Sequence, residues 1–314
     1  MRIFLSFIIK ISISLALLIF LFSRIDFKQT ISYIRTVEPM YFICAVLLFI
    51  FVMFLGIARW SVLLKMFKKD LSFWRIFVSH CGGLFFNVFL PSTIGGDIAR
   101  TVDLSLHTKD NSSIFATVFL DRLCGFLALV LIALSGFFCG YFYGFTRDLR
   151  LLIFIMILAA IVAFVFLLIF SKKMFNIVNK IIKFKALRNY FTKFHNCCYS
   201  FRFQKIVLMR TILLSLLIQG LFSVVVYFIG MSLGIKLNVI YYLILIPIVN
   251  SISFLPISLG GLGLRDNVAV VLFSTLGVAS DKVVAMTLLI FAFIFSIGII
   301  GGIIYGTSLY SRRL

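Results

Sequence analysis

The sequence predicts an all-α polytopic membrane protein with about six complete transmembrane helices and two re-entrant helical hairpins related as an inverted repeat. Three observations carry this. Apolar runs of 18 residues or more recur through 314 residues that are 63% hydrophobic and 13% charged, with a mean hydropathy of +1.19, and each run is long enough to cross roughly 30 Å of hydrocarbon. Lys and Arg gather in the connections. A twelve-residue motif built on Pro and Gly-Gly occurs twice, each time in an apolar stretch too short or too interrupted to span.

In chain order, the first run, Ile3 to Phe22, follows Arg2 as a signal sequence would. No small-residue cleavage site precedes Ser23-Arg24-Ile25-Asp26, so the run is expected to stay as the first membrane helix. Complete spans are then expected over Met40 to Ala58, Ser113 to Phe145, Leu149 to Phe170, Val207 to Gly230 and Val283 to Tyr305. The remaining runs form hairpins at about 76–112 and 239–279. One membrane domain holds everything, with a first repeat over about 1–145 and a second over about 149–314. Irregular backbone at membrane depth survives only where protein or a water-filled cavity surrounds it, so two hairpins imply an enclosed site.

The charges set the topology. Five Lys and Arg lie between Arg59 and Arg75 and ten between Lys172 and Arg210, against Lys236 alone in its loop. The rich loops belong in the cytoplasm, with both termini, including Arg312 and Arg313, on the same side. The +20 formal charge is thereby explained without a nucleic-acid partner. The segment from Lys172 to Phe194 alternates basic and apolar residues at helical spacing and reads as an interfacial helix, either fixing topology or gathering anionic lipid. No Walker-type run is present, and direct ATP use is not expected. The six cysteines lack Cys-x-x-Cys spacing, and His80 has no second His or Cys at ligand spacing. No metal and no cofactor is expected; His80 reads as a structural residue, His107 and His195 as loop residues.

Residues 89–100 read FLPSTIGGDIAR and residues 254–265 read FLPISLGGLGLR, identical at six of twelve positions without gaps. Hairpins entering from opposite faces would relate the copies by a pseudo-two-fold axis in the membrane plane, as in many secondary transporters. Pro91 and Pro256 stop the incoming helix, and Ser92 or Ser258 can cap the next one. Gly95-Gly96 and Gly260-Gly261 let a ligand approach bare backbone, and amides exposed at a half-helix N-terminus favour an anion.

Asp97, Arg100, Asp121, Arg122, Arg265 and Asp266 fall within apolar surroundings, where each charge costs about 2.5 to 3.5 kcal/mol even on an insertion scale. Arg suits phosphate because its planar fork donates two parallel hydrogen bonds. The carboxylates either hold the Arg side chains or exchange protons.

These residues form motifs: N-x-x-LPS-x-GGD-x-x-R from Asn87 to Arg100, DR-x-x-G from Asp121 to Gly125, and P-x-x-x-GG-x-G-x-R from Pro256 to Arg265. In this order they resemble the flippase-like family that includes the transmembrane region of lysylphosphatidylglycerol synthases, and the likeness covers nearly the whole chain. The resemblance implies a lipid-translocation domain with two re-entrant segments. Asp266 stands where Glu is expected and Phe126 where Leu is expected. The soluble aminoacyl-transferase region is expected to be absent, so synthesis of lysyl lipid is not carried over from the resemblance, and a lipid-modifying enzyme on a separate chain is left open as a partner.

The expected function is therefore movement of an anionic, phosphate-bearing lipid between leaflets, with Arg100, Arg122 and Arg265 converging on the phosphate. The rival is a membrane-embedded enzyme using Asp97, Asp121 or Asp266 on a lipid phosphate or polyprenyl-phosphate sugar. A channel or scaffold would leave the buried charges and the repeat without a purpose. Nothing in the sequence specifies an oligomeric state.

Overall fold

The computed structural model describes residues 21, 26–67, 70–90, 94–144, 148–181, 185–253 and 263–310. The expected first span, the hairpin tips bearing Pro91, Ser92, Pro256, Ser258, Gly260 and Gly261, and the C-terminal Arg312 and Arg313 lie outside them. The described residues form twelve α-helices: α1 (Phe27–Arg35), α2 (Pro39–Phe67), α3 (Phe73–Phe89), α4 (Gly95–Thr108), α5 (Asn111–Phe142), α6 (Leu149–Phe170), α7 (Lys172–Ile181), α8 (Lys185–Ser200), α9 (Lys205–Ser232), α10 (Val239–Ser253), α11 (Leu264–Ser274) and α12 (Ser280–Tyr310). Five of them, α2, α5, α6, α9 and α12, are long and apolar enough to cross a bilayer. They correspond to five of the six expected spans.

Hydropathy misplaces one boundary that bears on the site. The apolar run after Met40 stops at Arg59, yet α2 continues to Phe67 with Trp60, Leu63 and Leu64 fully buried. A single charge on the inner face does not end a helix whose apolar stripe resumes on the next turn. The interfacial segment likewise extends further than expected, as α7 and α8. His107 and His195 are helical rather than in loops.

The helix ends sort into two groups. At one end, Phe67 of α2 meets Phe201, after α8, edge-on at 5.2 Å, and Ser113 of α5 lies 3.7 Å from Cys197 of α8. At the other, the Asp26 amide at the start of α1 donates to Asp281 of α12 (2.9 Å), and the Glu38 amide donates to the Ser232 carbonyl of α9 (2.9 Å). The α3–α4 pair sits between the end of α2 and the start of α5. It therefore leaves and returns at the first end, whereas α10–α11, between the end of α9 and the start of α12, does so at the second. With 17, 14, 15 and 11 residues, these helices reach roughly 16 to 26 Å at 1.5 Å per residue, short of a full crossing.

Local chemistry fixes the first hairpin. Ser72 caps α3 by accepting from the Arg75 amide (3.2 Å). Lys109 closes α4 in the left-handed region (φ 54°), and Asp110 at once caps α5 through the Ser113 amide (3.2 Å). A glycine face on α12 receives α3: a Cβ on Gly301 would lie 2.7 Å from the Cys81 carbonyl, and one on Gly302 2.3 Å from Phe85. Such small-residue faces let helices pack closely in lipid, where hydrophobic driving force between them is missing. Arg75 of α3 pairs with Asp103 of α4 (2.8 Å), which also accepts from Tyr305 Oη of α12 (3.2 Å). The largest apolar core joins α2, α5, α9, α10, α11 and α12 around Phe49, Phe137, Tyr242 and Phe273.

Candidate functional site

Three helices bring five charged side chains into one chain of contacts. Arg59 Nε of α2 donates to Asp121 Oδ1 of α5 (2.7 Å), and Arg59 Nη1 to Ser215 Oγ of α9 (3.0 Å). Arg100 Nη2 of α4 donates to the other Asp121 oxygen (3.1 Å) and meets Asp97 Oδ1 at 2.9 Å. Arg122 of α5 holds Asp97 with two donors, Nε to Oδ2 (2.6 Å) and Nη2 to Oδ1 (3.1 Å). The order is Arg59, Asp121, Arg100, Asp97, Arg122, and three guanidinium groups against two carboxylates leave one positive charge in excess.

The sequence explains the convergence. Asp97 and Arg100 are three apart on α4 and share a face, as helical neighbours do. Adjacent Asp121 and Arg122 diverge on α5, so Asp121 serves Arg59 and Arg100 while Arg122 reaches round to Asp97. Trp60 roofs Arg100, whose Cζ lies 4.6 Å from the ring centroid. Charge removed from water at this depth persists only when paired. The pairing is complete for the carboxylates; Arg122 keeps 29% of its side chain accessible, against 5% for Arg100.

A cavity of about 240 Å³ opens beside this chain, lined by Arg59, His80, Asn87, Asp97, Arg100, Asp121 and Arg122. His80 Nδ1 is buried and has no hydrogen-bond partner among the described residues. A second cavity of about 240 Å³, between α4 and α5, is almost wholly apolar, with Ile94, Phe115, Val118, Phe119 and Phe126 in its wall. Asp97 and Arg122 line both. A polar chamber and an apolar groove thus meet at one guanidinium. Among the described residues no cluster of His, Cys, Asp or Glu could hold a metal ion.

Gly95 and Gly96 let helices approach one another. A Cβ on Gly96 would lie 2.0 Å from the Gly83 carbonyl of α3, and its amide already donates to Asn87 Oδ1 (2.9 Å). A Cβ on Gly95 would lie 2.6 Å from Leu90 Cβ. Ile94 occupies the α4 N-cap, and its carbonyl accepts from the Ile98 amide (3.0 Å).

The second motif copy builds a separate arrangement. Arg265 is buried, 3.4 Å from Asp266 and 3.4 Å from the Thr287 carbonyl of α12, and does not line the cavity occupied by Arg59, Arg100 and Arg122. Asp266 accepts from the Gly263 amide (3.0 Å), capping α11 at a glycine with φ +76°. Arg100 and Arg122 are brought together as the sequence suggests; Arg265 is not with them. Arg59 takes the third place, a residue that hydropathy reads as a loop charge.

An all-α membrane protein with a charged cavity beside an apolar groove is the class that this fold defines. The chain belongs to the family of the lysylphosphatidylglycerol synthase TM region, whose pattern it matches over residues 7–302. A UPF0104 membrane protein, PH1989, of Pyrococcus horikoshii is 24% identical, in an alignment covering 90% of each chain.

Proposed function

We propose that the protein moves an anionic lipid between leaflets, its phosphate held in the polar cavity while a tail lies in the α4–α5 groove. The carrying observation is the Arg59–Asp121–Arg100–Asp97–Arg122 chain, whose three guanidinium groups outnumber its two carboxylates and whose Arg122 and Asp97 lie at the junction of polar and apolar space. A phosphodiester carries one negative charge and offers the oxygens that a guanidinium fork binds best. Arg122 is the proposed first contact because it is the most accessible of the three, and Asp97 the group that a phosphate displaces from it. Asn87, Gly95 and Gly96 hold α3 against α4 so that Arg100 is presented. Pro91 and Ser92 belong to the first copy of the repeated motif, with Pro256, Gly260, Gly261, Arg265 and Asp266 as the counterpart in the second. Residues of about 1–145 and 149–314 then act as two repeats that rock alternately in the cytoplasmic membrane, with both termini in the cytoplasm.

Purified protein in liposomes, offered head-group-labelled lipids with and without a phosphate, tests the proposal. Phosphate-bearing lipids should change leaflets, unconverted, and Arg122→Gln and Arg100→Gln should slow this at matched protein content, with Arg122→Lys intermediate because it keeps charge without the fork. Equal exchange by all variants would remove the cluster from the mechanism. Chemical conversion of the labelled lipid would favour the enzyme reading.

A further inference from the structure

We infer that the α7–α8 hairpin is a docking surface for the anionic head groups of a bilayer leaflet, and that it passes lipid to the groove whose wall it braces. Between Lys172 and Arg210 the chain has ten basic residues and no acidic one. Lys172 and Lys173 of α7 and Arg188 and Lys193 of α8 are exposed. The same two helices carry exposed apolar side chains, Ile177 of α7 at 53% and Tyr190 of α8 at 72%, and Phe203 at 75% follows just after α8. Basic heads beside exposed apolar side chains are what an anionic interface binds.

Fixing topology requires only charge in the connection, and this segment is built further than that. His195 of α8 is buried and stacks on Phe175 of α7 at 3.6 Å, and Phe191 stacks on Phe175 at 5.5 Å, closing the two helices into one unit. That unit is seated on the site. Phe194 of α8 packs against Phe115 (5.1 Å) and Phe119 (5.3 Å) of α5, and both rings line the apolar groove that ends at Arg122. A lipid drawn to the basic surface is therefore gathered beside the mouth of the groove. The hand-over rests on the transport reading; the surface binding does not.

The test uses the full chain in phosphatidylcholine bilayers containing a small share of spin-labelled phosphatidylglycerol, counting probe immobilised on the protein and measuring leaflet exchange in parallel. Wild type should hold more labelled phosphatidylglycerol than labelled phosphatidylcholine. Joint Lys172→Gln, Lys173→Gln, Arg188→Gln and Lys193→Gln substitution should lower that excess about threefold or more, consistent with the attraction of each surface cation. It should slow exchange when anionic lipid is scarce and restore it when anionic lipid is abundant. Phe194→Ala, which leaves every charge in place, should keep the excess and slow exchange at both compositions. An unchanged excess in the Gln variant overturns the docking surface, as does a slowing that is equal at all compositions. Normal exchange by Phe194→Ala overturns the hand-over. A retained excess with no exchange of any lipid by wild type would sink the transport reading and leave the surface standing.

Discussion

Neutralising Asp121 tests whether the buried charges act as one chain. Asp121 accepts from Arg59 at 2.7 Å and Arg100 at 3.1 Å, and its side chain is 4% exposed. Asp121→Asn leaves two guanidinium groups facing an amide, and breaking a buried pair in this way costs about 3–5 kcal/mol. Arg59→Met should cost a similar amount, since it leaves Asp121 to Arg100 alone and Ser215 without its donor. The double variant removes one charge of each sign, and Arg100, Asp97 and Arg122 keep the single positive excess. Its loss should fall short of the sum of the single losses by about 2–3 kcal/mol. Equilibrium unfolding in mixed micelles, followed by the exposure of buried Cys81, Cys124 and Cys198 to a thiol reagent, measures all four corners of the cycle. Additivity within about 0.5 kcal/mol would show that Arg59 and Asp121 do not communicate. Transport supplies a second ranking: the double variant, with its charge excess intact, should exchange anionic lipid faster than Arg59→Met, which has none.

Gly96→Ala should force α3 and α4 apart, because its Cβ would meet the Gly83 carbonyl at 2.0 Å with no flexible side chain to yield. A loss of about 1–3 kcal/mol or more is expected in the same unfolding assay, against no loss for Gly306→Ala, which meets nothing within 4 Å. Burial holds the His195 imidazole below its ordinary value of 6.5. The neutral form is thus the one the fold accepts, its stabilisation is complete above about pH 6.5, and it is lost as pH falls below that; protease clipping of α7–α8 should rise on acidification, and His195→Phe should abolish the pH dependence. Single cysteines at positions 65 and 193 should react with impermeant reagent only from the cytoplasmic side, and those at 28 and 236 only from outside; labelling of position 193 in sealed cells would reverse the assignment.

Much of this architecture is legible because lipid leaves a helix few options: length and hydropathy place five spans, and the repeated motif marks the two short hairpins. Asp97, Arg100, Asp121 and Arg122 are legible for the same reason, as charges where charge is expensive. Arg59 escapes notice because the windows on its two sides read as a span and a basic loop. The burial of Trp60, the next residue, and of Leu63 and Leu64 one turn further on is the signal that the helix had not ended. Its partner lies 62 residues away, and no local spacing reveals that. Arg265 misleads in the opposite way. Identity within a motif fixes its place in a hairpin, while the hairpin's neighbours, here Asp266 and the Thr287 carbonyl, decide what it touches. Gly96 reads as ligand-facing from sequence because the contact that fills its space comes from α3.

A row of alternating charges with five members has the same sign at both ends. Arg122 terminates it at the groove, and Arg59 terminates it at Ser215 on α9. On the proposed transport reading, an anion at Arg122 would release Asp97 to bind Arg100 more fully, so that Arg100 would loosen from Asp121 and Asp121 tighten on Arg59. Occupancy at the groove would then be felt at α9 through the row of charges alone, with no helix in between having to bend.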